Sequence, residues 1–117
     1  MVSLGTVFNH VHKYLKEHIE ESCRDKFNTA QALVYMSISE GEHMDKELYN
    51  KCLLEYQNDK DFKASVDDCL DNLKETYKNE KIEFKSGRIV DGRTHFDKAK
   101  AQLNGHKFES KEDNMQL

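Results

Sequence analysis

The residues of this chain best suited to chemistry are histidines and carboxylates at helical spacing. Glu40-Gly41-Glu42-His43 sets a glutamate and a histidine three positions apart, the element from which helix bundles build di-metal sites. Glu47 follows one turn later, and His10, Tyr14 and His18 recur at every fourth residue upstream. The candidate metal ligands are therefore His10, His18, Glu40, His43 and Glu47, a carboxylate and imidazole set suited to iron, manganese or zinc. Two features oppose this reading. Bundle sites need two Glu-x-x-His elements and the chain has one, and Gly41 stands where a helix is expected to stop. A helix-end turn with solvated acids is the preferred alternative.

His18 falls inside an apolar stripe, which predicts a buried, neutral histidine bonded to a neighbour rather than a base. Cys52 and Cys69 lie on apolar faces and read as small core residues. Cys23 is expected at the end of the first helix, where the dipole disfavours a thiolate and Arg24 favours it. The chain has no Cys-x-x-Cys, Walker loop, Gly-x-Gly-x-x-Gly, Gly-x-Ser-x-Gly or His-Glu-x-x-His. Neither a catalytic set nor a cofactor is expected on this basis, and a noncatalytic protein is the preferred reading.

Charge is distributed unevenly. Residues 1–73 carry eight Lys and Arg against fourteen Asp and Glu, while residues 74–111 carry ten against six. The basic segment 81–107 holds Lys85, Arg88, Arg93, Lys98 and Lys100, the candidate nucleic-acid contacts. Helices followed by a basic hairpin resemble, in arrangement only, winged helix–turn–helix DNA binders. The helix that would enter the groove, residues 43–58, is flanked or occupied by Glu42, Asp45, Glu47 and Glu55, which suits a phosphate surface poorly. A solvated, charge-segregated surface is the favoured reading. The overall charge of −4 also argues against a protein that coats nucleic acid or anionic membrane.

The elements that must position these residues follow from apolar periodicity. The 117 residues fit one domain, and the absence of proline and the five glycines leave long helices unobstructed. Leu4, Val7, Phe8, Val11, Leu15 and Ile19 form a single stripe, predicting a helix over about 3–22 with Ser3 as its cap. Further helices are predicted over 29–39, capped by Asn28 or Thr29 and broken by Gly41, and over 43–58 and 61–79. Residues 81–91 alternate around Ser86-Gly87, a pattern shared equally by a short β-hairpin and by irregular or helical structure. A last helix is expected over 94–103, with Phe96, Ala99 and Leu103 on one side. The predicted fold is mainly α: a compact bundle of four to five helices over residues 1–104, with a mobile polar tail at 105–117.

With no secretory h-region, no membrane-length apolar run and three unpaired cysteines, the chain reads as a soluble cytoplasmic protein without membrane contact. The functional expectation is a small helical interaction or regulatory protein, noncatalytic and self-associating. Its partner is another protein or a second copy in a homo-oligomer. The alternatives are a nucleic-acid-binding regulator and a helical-bundle metal protein.

Overall fold

Ser3 starts the first helix as the sequence implies: its side-chain oxygen accepts the Thr6 N–H at 3.1 Å. In the computed structural model, which describes residues 1–40 and 45–109, a two-residue strand β1 (Val2–Ser3) leads into α1 (Leu4–His18). Then come α2 (Arg24–Ile38), α3 (Lys46–Asn58) and α4 (Lys60–Tyr77). Strands β2 (Lys81–Glu83) and β3 (Ile89–Asp91) precede α5 (Gly92–Glu109). The mainly α fold is as predicted, and of the readings open for residues 81–91 the hairpin is the one that forms.

The hairpin pairs Lys81 with Asp91, Ile82 with Val90 and Glu83 with Ile89. Gly87, at φ +96°, supplies the left-handed residue of its turn. The alternation of residues 81–91 does not reveal the third strand: β1 adds in parallel to β2, through Val2 opposite Ile82. Two residues are too few for any periodicity. The parallel pairing holds the start of α1 beside the end of α4, with four helices making the crossover.

The core is a single cluster drawn from all five helices and the sheet. Helix α2 packs on α1, α3, α4 and α5, which explains why Ala30, Leu33, Val34, Met36 and Ile38 spread around so much of its circumference. Phe62, Val66, Cys69, Leu70 and Leu73 bury the narrow stripe of α4. Phe8, expected in the core, is only half-buried: its ring stacks on Tyr35 at 4.4 Å on the margin of the α1–α2 contact.

Several boundaries differ from the periodicity. Helix α1 stops at His18, with Ile19 as its C-cap. Helix α2 begins at Arg24 rather than Thr29. Thr29 does not cap; its hydroxyl donates back to the Asp25 carbonyl at 2.8 Å, inside the helix. Cys23 is consequently the N-cap of α2, not the last residue of α1. Helix α3 starts at Lys46 because Asp45 caps it, accepting the Leu48 N–H at 3.1 Å. Helix α5 starts at Gly92 and runs on to Glu109, so residues 105–109, assigned to a tail, continue it; residues 110–117 lie outside the described residues.

Gly92 is required by close approach. Its N–H donates to the Glu80 carbonyl at 2.9 Å, and a Cβ there would stand 2.1 Å from the Tyr77 carbonyl oxygen. Gly105 has open space where its Cβ would be. Gly92→Ala should therefore destabilise the fold by about 1–3 kcal/mol through overpacking. Gly105→Ala should stabilise it by about 0.5–1 kcal/mol through helix propensity. Thermal melts of the two variants check this contrast, and equal shifts would contradict it.

Candidate functional site

The described polar groups with the greatest chemical potential form three clusters. The first is centred on His95, on the first turn of α5, only 3% exposed and enclosed by Phe84 and Phe96. Its Nε2 lies 2.7 Å from the carbonyl oxygen of Ile38, the last residue of α2. Its Nδ1 lies 3.2 Å from Glu40. Glu40 also takes an ion pair from Arg88, whose guanidinium lies over the Phe84 ring. Glu40 itself is in the left-handed region at φ 52°. A non-glycine residue there costs about 1–2 kcal/mol, and its carboxylate contacts offset that cost.

Burial pushes the His95 ring below its ordinary value, against the pull of the Ile38 carbonyl and the Glu40 carboxylate. Glu40 is held below the carboxylate range: burial raises it, but the Arg88 hydrogen bond and the nearby His95, Arg88 and Lys98 charges outweigh that.

The second cluster lies between α1 and α4. The amide oxygen of Asn72 can only accept, so His10 donates to it from Nε2 at 2.7 Å. In the neutral ring Nδ1 then accepts from the Tyr77 hydroxyl at 3.3 Å. Both ring nitrogens of His10 are thereby engaged. The third cluster joins α3, α4 and α5. The Tyr56 hydroxyl donates to Asp67 at 2.5 Å, Lys63 bridges Asp67 and Asn104, and Lys100 pairs with Asp71. Burial, then the Asp67 contact, raises the Tyr56 hydroxyl well above its usual value.

The proposed metal ligands are distributed among these clusters. His10 and His18 line one hollow of about 500 Å³ with Lys13, Tyr14, Glu17 and Asn72. His18 is exposed rather than buried: its ring turns outward, stacks on Tyr14 at 4.0 Å and lies 2.8 Å from the Tyr14 carbonyl. Glu40 belongs to the His95 cluster, Glu47 is exposed on the first turn of α3, and His43 lies outside the described residues. Among the described residues, no three His, Cys, Asp or Glu side chains gather as a metal site. The proposed breaker Gly41 also lies outside them, and the left-handed residue ending α2 is Glu40.

The basic candidates divide. Arg88 and Lys100 are held by Glu40 and Asp71, whereas Lys85, Arg93 and Lys98 are exposed. The helix that leads into the hairpin is α4, as the predicted 61–79 helix implies, and its exposed side carries Asp61, Asp68, Asp71 and Glu75. Cys52 and Cys69 are buried as expected. Burial raises both thiols, that of Cys69 to about 12, which suppresses the thiolate.

The residue missed by the sequence reading is His95. Its signal is present, because residues 95, 99 and 103 share one helical face, the face to which Ala99 and Leu103 are assigned. Compared with protein-family models, with curated proteins and with solved structures, the chain matches none of them.

A ring whose folded value is depressed binds protons more readily when unfolded. Stability should therefore fall as pH drops below 6.5, the ordinary value of a histidine, towards the folded value. His95→Gln retains a donor for Ile38 and removes the titration. Urea unfolding at about pH 7.5 and about pH 5.5, on either side of that value, should show a larger loss for the wild type than for His95→Gln. Equal losses would contradict the assignment.

Proposed function

We propose that this chain is a small helical interaction protein, without catalytic activity of its own, that assembles with a second copy of itself. The observation that carries this reading is where its polar chemistry is used. His95, His10, Tyr56, Tyr77, Asp67 and Lys63 each tie one element to another. A general base or nucleophile needs a free lone pair facing a substrate cavity. His10 has both nitrogens engaged, and the thiols of Cys52 and Cys69 are buried. Turned outward are a charged surface, His12, His18 and Cys23, and single large apolar side chains, of which Leu54 on α3 is 60% exposed.

The nucleic-acid reading is weaker. Two of its five cations are neutralised by carboxylates, and acids line the helix leading into the hairpin. No helix in the described residues is long and apolar enough to cross a membrane. Sedimentation equilibrium over a hundredfold concentration range tests the proposal. The mass should rise from one chain towards two. A single-chain mass throughout would reject self-association.

A further inference from the structure

The outward face of α3 is self-complementary, and we infer that it pairs antiparallel with the α3 of a second copy across a two-fold axis near Leu54. This rests on the proposed self-association and names its surface. Helix α3 packs on α2 and α4 through Cys52, Leu53 and Tyr56, so its opposite face carries Glu47, Asn50, Lys51, Leu54 and Asn58. Leu54 stands at the centre of that face.

A two-fold contact sets each residue before the axis against a residue after it on the partner, on the same side of the helix. Leu54 then meets Leu54, an apolar centre for the contact. On one side Lys51 precedes Leu54 and Glu55 follows it, so each chain's lysine lies against the other's glutamate. On the other side Asn50 and Gln57 oppose each other, both side-chain amides that donate and accept. A parallel two-fold arrangement would instead set the Lys51 and Glu55 flank against the Asn50 and Gln57 flank of the partner and pair no opposite charges. Charge complementarity therefore selects a second copy of this chain and its direction, as charges flanking a small apolar centre do in paired helices.

Reciprocal charge reversal tests the geometry. Lys51→Glu alone sets two carboxylates against each other at both ends of the contact. Glu55→Lys alone sets two ammonium groups against each other there. Each variant should therefore dimerise at least tenfold more weakly than the wild type. In a mixture of the two, the heterodimer sets opposite charges together at both ends: one end joins the two unaltered residues, Lys51 and Glu55, and the other joins the two reversed ones. The single variants test the direction, because Lys51 and Glu55 oppose each other only in the antiparallel pairing. The mixture should form that heterodimer near wild-type affinity. Both positions are exposed, and circular dichroism checks that each variant folds. Leu54→Gln, which changes no charge, should also weaken the dimer at least tenfold. A wild type that dimerises while the reversed pair fails to recombine overturns this surface and leaves self-association standing. A wild type that stays single-chain overturns both.

Discussion

Burying His95 constrains much of the rest of this structure. An imidazole removed from water must keep a hydrogen-bond partner, and at the end of α2 the Ile38 carbonyl lies 2.7 Å from Nε2, where the neutral ring donates its one N–H, while the Glu40 carboxylate lies 3.2 Å from Nδ1 and gains a donor there when the ring is protonated. Glu40, which follows the Ser39 cap of α2, makes this contact from a left-handed conformation. Glu40 also takes the ion pair from Arg88, and Phe84 meets the His95 ring edge-on, so the hairpin turn is set against the start of α5. Segments far apart in sequence meet in this contact. The hairpin also carries β1 and so holds the first turn of α1 in place.

The other polar clusters follow the same logic. His10 joins α1 to α4 through Asn72 and Tyr77, and Tyr56, Asp67, Lys63 and Asn104 connect α3, α4 and α5. Each places a polar group at a helix–helix margin, where a partner comes from the neighbouring element. Partly buried networks of this kind specify which helix faces meet, while the apolar core supplies most of the burial. This leaves the outer faces as the part of the molecule available for recognition. The proposed α3 contact uses that surface without disturbing any of the clusters.

What could be read in the sequence depended on whether a residue's role is local. The stripes of α1 and α4 are periodic over several turns, and most of their buried residues follow directly from the spacing. Ser3 caps as its type suggests. Thr29 does not, because α2 already begins at Arg24 and a threonine inside a helix bonds back to its own backbone, here the Asp25 carbonyl. The strand β1 exists only because Ile82 is beside it. The helix-end reading placed Glu40 where α2 stops but left its carboxylate to solvent; two side chains more than forty residues away, Arg88 and His95, contact it. Long-range partners leave no mark in local spacing.

Polar clusters join the elements of this fold at their margins, and recognition is proposed to occur on the outside of α3. Backbone chemical shifts recorded by NMR from dilute to concentrated protein test that division most directly. Concentration-dependent shifts should cluster over residues 47–58, with the amides around His10 and His95 unchanged. Shifts centred on the His10 and His18 hollow or on the Glu40–His95 contact, with α3 silent, would contradict it.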